Sequence, residues 1–359
     1  MVSIITVFFI LCLIFYKSKI SKEFLNPTDI IQTKSIKGIL SILIMLGHIF
    51  ATKNIMNNGI DLLIVSPGFL YVGMFFFYSG FGLVQGYINK KSYLHNFLYK
   101  IFSKIYVPFI LMNTIYYIVL KLSIERKEFL IKEFIVDMLG LSLINGIAWY
   151  MIVIIYFYFA FYLSFKYFYK IRYIVILICM VLQILICIYI NPNAIWWYIS
   201  IIPFILGVIY SEYKKEIDFC IKKYYLLLLT LLFFLFNFCY FIRFNRVGML
   251  FGIVLHNKEI IILGMLSVIW FVFLVLLILM KIKIENILTL KLGYTSLEIY
   301  LYHGLFLKIF MSEIVYIKNQ ITYIFLCVVS TLILSFLMKK LTNYFGKGII
   351  ISRYNNTAL

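Results

Sequence analysis

An all-α polytopic membrane protein, a bundle of about eleven transmembrane helices with no soluble domain, is the fold class this sequence predicts. Three observations carry it. The 359 residues are 64% hydrophobic and 19% aromatic, with a mean hydropathy of +1.03, far more apolar sequence than a soluble core buries. The apolar residues gather in runs of a length that crosses a hydrocarbon layer roughly 30 Å thick. Lysine and arginine fall between those runs, in connections that alternate between rich and poor. The formal charge of +19 therefore reads as membrane sidedness and not as a nucleic-acid surface, because no basic module stands apart from the apolar runs. The six cysteines have no paired spacing, and all but Cys220 sit in apolar runs, so neither a disulfide frame nor a metal site is indicated.

Taken in order, residues 1–16 are apolar from the start and precede Lys17, Lys19 and Lys22. A signal peptide has the reverse order of charge and ends in small residues, so a first spanning helix is expected here, followed by a linker to residue 33. The run 36–52 carries Lys37, Ser41 and His48 on one helical face. Its eleven-residue spacing from Lys37 to His48 corresponds to a rise of ~16 Å. This places His48 near mid-membrane, where an ionisable side chain is costly and marks a site by default. In the run 67–88, Ser79, Gly80 and Gly82 interrupt aromatic residues, so backbone or ligand can approach closely. The run 105–120 follows Lys104 and contains Pro108. The connection 121–145 has apolar residues at helical period, from Leu130 to Leu139, and predicts an amphipathic helix lying on the outer membrane surface.

Trp149 and Tyr150 open the run 147–165 at the outer interface. Runs at 173–190, 196–210, 224–242 and 260–280 are plainly apolar. The run 292–311 holds Ser296, Tyr300 and His303 on one face, and also Glu298, an acid that must be neutral or find a basic partner at that depth. The last run is 322–338. Most of the 33 basic residues lie in connections 17–37, 90–104, 166–172, 214–223 and 281–291 and in the tail. These are expected to be cytoplasmic, with the amino terminus outside and the carboxy terminus inside. His48 and His303 then reach similar depth on helices remote in sequence, which one shared site explains better than two coincidences.

Several of these motifs, in this order, resemble the acyltransferase-3 family of integral membrane acyltransferases, which includes bacterial O-acetylases of cell-surface polysaccharides. The resemblance rests on KSIKGILSILIMLGH with Lys37 eleven positions before His48, on FFFYSGF at 75–81, on Lys104 to Pro108, on the Trp149–Tyr150 pair, and on LGYTSLEIYLYH ending at His303. It implies a membrane domain over residues 34–345, preceded by one helix beyond the family's ten and followed by a short cytoplasmic tail, 346–359. It departs from the family where Lys37 replaces the usual arginine, losing the planar fork. Gln85, Lys90 and Lys91 also stand where arginines often follow the Ser-Gly-Phe motif.

What the resemblance implies is an O-acyltransferase of the plasma membrane that moves an acyl group, acetyl in the first instance, from cytosolic acyl-CoA to a hydroxyl of a cell-surface glycan or a lipid-linked sugar. Histidine suits the base, taking the hydroxyl proton. His48 is expected to do so; Lys37, Ser41 and Lys104 to hold the acyl donor; and Ser79, Gly80, Phe81, Trp149, Tyr150, Ser296, Glu298, Tyr300 and His303 to line the cavity. No bound cofactor is expected, acetyl-CoA being a substrate. Two other classes compete: a transporter, which calls for internal repeats and interrupted helices in matching halves, and a non-catalytic membrane scaffold.

Overall fold

The computed structural model describes residues 12, 16–53, 67–243, 257–284 and 286–356, with side chains as far as residue 344. Eight helices among the described residues are long and apolar enough to cross a membrane, and the chain is an all-α integral membrane protein. The expected first helix, 1–16, lies outside the described residues except for Cys12 and Tyr16.

Helix α1, Ile30–Thr52, begins earlier than its apolar run because the Asp29 carboxylate accepts the Ile31 N–H at 2.9 Å and caps it. Lys37 is therefore not at the surface, as expected, but ~10 Å inside the helix, and His48 lies one turn from the far end. Helix α2, Gly68–Asn89, packs against α1 and the later α7. Helix α3, Phe97–Ile124, is π-helical over Phe102–Tyr106 and Tyr117–Ile124. Pro108 explains the first stretch: it lacks the N–H that the Lys104 carbonyl needs, and its ring crowds that carbonyl.

The amphipathic helix expected between 121 and 145 is present, shorter than the connection, with Ile131, Ile135 and, just past its end, Leu139 left exposed. Helix α4, Ile131–Met138, runs back along the outer part of α3. Tyr117 Oη donates to the Leu130 carbonyl at 3.3 Å and accepts the Leu130 N–H at 3.1 Å, Asn113 Nδ2 donates to the Asp137 carbonyl at 2.8 Å, and Tyr106 Oη donates to the Met138 carbonyl at 3.0 Å. Irregular backbone at membrane depth persists only where protein groups satisfy it, and these four bonds do so. They hold residues 130–143 to α3 as a folded-back arm.

Helices α5, Trp149–Tyr167, and α6, Arg172–Ile190, follow, with α6 facing outward through Leu182, Leu185 and Ile186. The run 196–210 is not one helix: a 3-10 turn at Ile195–Trp197 precedes α7, Pro203–Glu212, whose start Pro203 fixes. A Cβ on Gly80 of α2 would strike the Phe204 carbonyl, and one on Gly207 of α7 would strike the Phe77 carbonyl. Small residues here allow backbone contact at the crossing, where lipid supplies no hydrophobic drive. Next come α8, Lys214–Lys223; α9, Tyr225–Arg243; and α10, Asn257–Leu279.

The run 292–311 is also divided, into α11, Ile287–Tyr294, and α12, Ser296–Ile309, which meet at Thr295. Helix α11 crosses α1 at Gly38 and Gly293, where an added Cβ would meet the opposite backbone. The long α13, Gln320–Asn356, covers α12. A two-stranded clip, β1 Lys19–Ile20 with β2 Ile282–Lys283, antiparallel, closes the basic end. Gln32 supports it, donating to the Leu279 carbonyl at 2.8 Å and accepting the Ile284 N–H at 3.1 Å.

Candidate active site

Two cavities meet inside the basic end of the bundle. The outer one, about 350 Å³, is lined by Lys37, Lys90, Lys100 and Lys104 together with Tyr93 and Tyr158. Three elements supply the cations: α1, the end of α2, and the start of α3, with Lys100 in its first α-helical turn and Lys104 beside Ile105 in the π-helical stretch. The inner cavity, about 180 Å³, is mostly apolar and is lined by Val72, Phe75, Ile154 and Leu297 with Ser79, Tyr150, Ser296 and Tyr300. Lys37, Ser79, Ile105 and Tyr158 belong to both, so a cationic mouth leads into an apolar interior. At the junction, Lys37 Nζ sits 5.5 Å from the centre of the Tyr78 ring.

Tyr300 connects the inner cavity to the histidines. Its hydroxyl donates to the Ile147 carbonyl, its ring meets Tyr150 edge-on at 5.5 Å, and the His303 ring lies 6.0 Å away. The Ser79 and Tyr150 hydroxyls are 3.5 Å apart. His48 of α1 and His303 of α12 come together, with ring centroids 5.2 Å apart and planes 30° from parallel. The pair has two distinct environments. His303 is only 1% exposed, and its Nδ1 lies 3.1 Å from the Ile299 carbonyl, an arrangement in which Nδ1 carries the proton and Nε2 is an acceptor. That Nε2 has no hydrogen-bond partner among the described residues. His48, one turn from the end of α1, is the open member of the pair, with side-chain surface that no protein group covers.

Of the residues picked from the sequence, Lys37, Lys104, Ser79, Tyr150, Ser296 and Tyr300 line the cavities, His303 stands behind Tyr300, and His48 stands beside His303. Others have different work. Ser41 donates to the Gly38 carbonyl of its own helix at 2.8 Å and does not reach the donor cavity. Gly80 serves the α2–α7 crossing, and Phe81 packs on Tyr210 at 6.1 Å. Trp149 packs at a tilt on Trp197 at 6.1 Å and on Phe76 at 6.5 Å. Glu298 is fully buried and accepts from Lys339 Nζ at 3.1 Å, so it ties α12 to α13. Lys90, noted from the sequence only as standing where the family often has arginine, and Lys100, read only as a topology marker, are cavity residues. The signal that could have found them is their clustering with Lys104 around the start of α3.

No curated protein and no solved structure matches the chain. One family model does, that of the Acyltransferase domain, Acyl_transf_3, over residues 34–340. The match takes in both histidine helices, the lysine-lined mouth and Lys339, and leaves out the segment before Lys34, where the extra helix is expected. A polytopic helical bundle with a cationic mouth, an apolar inner chamber and a histidine pair, matched over most of its length by this model, is a membrane acyltransferase: the chain belongs to the acyltransferase-3 family.

Proposed function

We propose that the protein is an O-acyltransferase that takes an acyl group, acetyl first of all, from acyl-CoA entering at the basic end and passes it to a sugar hydroxyl at the opposite end. The observation that carries this reading is the joined pair of cavities, leading from four lysines to Tyr300 beside the histidine pair. Coenzyme A is a polyanionic head on a long, mostly neutral arm. The lysines suit its phosphates, and the narrower chamber suits the arm. The ~16 Å rise from Lys37 to His48 suits its length. By the positive-inside rule the basic end faces the cytosol, where acyl-CoA is found.

The chemistry follows from the positions. His48, the open member of the pair, accepts the proton of the sugar hydroxyl as its oxygen attacks the thioester carbonyl carbon. The carbonyl π electrons move to oxygen, and they return as the C–S bond breaks. The departing thiolate takes the proton from His48, so the products are the ester and free coenzyme A. His303, locked through Nδ1 on Ile299, holds its partner ring in place. The test is purified protein in nanodiscs with isotopically labelled acetyl-CoA and envelope extract. Appearance of label in an alkali-labile sugar ester supports the reading, and transport of the sugar without acetyl-CoA consumption overturns it.

A further inference from the structure

The lysine-mouthed cavities stop short of the histidines. Neither His48 nor His303 is among the described residues that line them, and the side chain standing between is Tyr300. On one side its ring walls the inner cavity; on the other the His303 ring lies 6.0 Å away. Tyr150, also in the wall, meets the Tyr300 ring edge-on at 5.5 Å, and Tyr300 is buried.

One polar bond holds the tyrosine in this place. Its hydroxyl donates to the Ile147 carbonyl, in a strap of chain, 144–148, that joins the folded-back arm to α5 and lies along α12. The strap is itself fastened: Lys308 Nζ donates to the Ile144 carbonyl at 3.0 Å, Asn145 Nδ2 donates to the Leu301 carbonyl at 3.3 Å, and Asn145 Oδ1 accepts the Ile147 N–H at 3.2 Å. Gly304 makes room for it, since an added Cβ there would come within 2.9 Å of Ile147 Cδ1 and 3.0 Å of Asn145 Oδ1. These contacts pass down α12 from Lys308 through Leu301 to Tyr300, a rise of ~12 Å. A segment that begins at the end opposite the lysines thus reaches the wall of the donor chamber.

The chemistry calls for a barrier at this point. His48 is the open member of the pair, and water that reaches it competes with any sugar. With the thioester always in reach, His48 would take a proton from water as the water oxygen attacked the carbonyl carbon. The C–S bond would then break and the thiolate would take that proton, so acetyl-CoA and water would leave as acetic acid and coenzyme A.

We infer that Tyr300 sets the preference for a sugar hydroxyl over water: latched on Ile147, it closes the donor chamber from the histidine pair, and it turns aside when the strap shifts. This rests on the acyltransferase reading above. An acceptor seated against the strap draws the Ile147 carbonyl from the tyrosine hydroxyl, and the thioester then meets His48 with a sugar already present. Closure of this kind ties the energy of binding the right acceptor to assembly of the site.

The test uses the full-length protein in nanodiscs with isotopically labelled acetyl-CoA, with and without envelope extract. Release of coenzyme A thiol counts every turnover, and label in an alkali-labile sugar ester counts the productive ones. Wild-type protein should release coenzyme A chiefly when extract is present. Tyr300→Phe keeps the ring and removes the latch; it should raise the ratio of hydrolysis to transfer about three- to tenfold, the gain in open population when one buried hydrogen bond is lost. Gly304→Ala, which presses on the strap with every polar group kept, should move the ratio the same way. Adding His48→Ala to Tyr300→Phe should remove the hydrolysis, because water uses the same base. A loss of stability lowers both rates together and leaves their ratio fixed, so a wild-type ratio in both single variants overturns the inference. Hydrolysis that persists without His48, or that runs equally fast in wild type with and without extract, overturns it too. A wild-type protein that transfers no label to sugar removes the acyltransferase reading, and this inference with it.

Discussion

Replacing His48 by alanine separates chemistry from packing, because the two histidines of the pair differ in burial. The His48 side chain is exposed, so its removal opens no sealed cavity, and the stability change should stay within about 0.5 kcal/mol. His303 is 1% exposed on α12 and packs on His48 of α1; its truncation leaves a void, on the order of 2–4 kcal/mol for a large buried side chain. Loss of a general base costs about 10²- to 10⁴-fold in rate, equivalent to roughly 3–5 kcal/mol of transition-state stabilisation. His48→Ala should therefore unfold within a degree or two of wild type and bind acetyl-CoA with unchanged affinity. Transfer of acetyl to envelope sugar, followed by coenzyme A thiol release and by mass spectrometry of the product, should fall by at least a hundredfold. His303→Ala should lose both stability and rate. A His48→Ala protein that folds normally and transfers at the wild-type rate would refute the assignment of the base.

Lys37→Ala should raise the KM for acetyl-CoA several-fold with a smaller change in kcat, and Lys37→Arg should restore most of it, because phosphate accepts either cation. Unaltered KM in Lys37→Ala removes Lys37 from the donor site. Raising ionic strength should weaken donor binding to wild type more than to the Lys100→Ala, Lys104→Ala double variant, measured by calorimetry, and parallel salt curves would argue against phosphate at the mouth. Lys339→Met strands the buried Glu298 carboxylate, at a cost of about 3–5 kcal/mol, and should lower the thermal midpoint in detergent; adding Glu298→Gln should recover much of it, and no recovery would mean the pair is not the cause. Single cysteines at Ser92 and Ser123 should react from opposite sides, Ser123 alone with an impermeant reagent on whole cells; the reverse pattern would invert the donor side.

Class and order of helices could be read from the chain alone, because apolar runs of spanning length have no other stable home than lipid; the described runs are helical, save that 196–210 becomes a helix only from Pro203 and 292–311 breaks at Thr295. The same holds for the pairing of His48 with His303: two costly side chains at comparable depth signal a common site, and the rings are 5.2 Å apart. Glu298 announced its need for a basic partner, yet only the packing of α13 on α12 decided that the partner is Lys339, more than a helix away in sequence. Local periodicity does not say which face of a helix meets a neighbour and which meets a cavity. Hence Ser79 and Gly80, adjacent in one motif, divide between cavity wall and backbone crossing, and Ser41 turns onto its own helix. Position within a helix likewise depends on where it is capped: Asp29 starts α1 ahead of its apolar run, so Lys37 lies two turns inside the helix and His48 one turn from its end. The arm along α3 was the least legible, since an amphipathic stretch suits a membrane surface as well as a protein groove. Tyr106, Asn113 and Tyr117, up to 32 residues distant from their partners, fasten the stretch to α3 by satisfying backbone groups that lipid cannot.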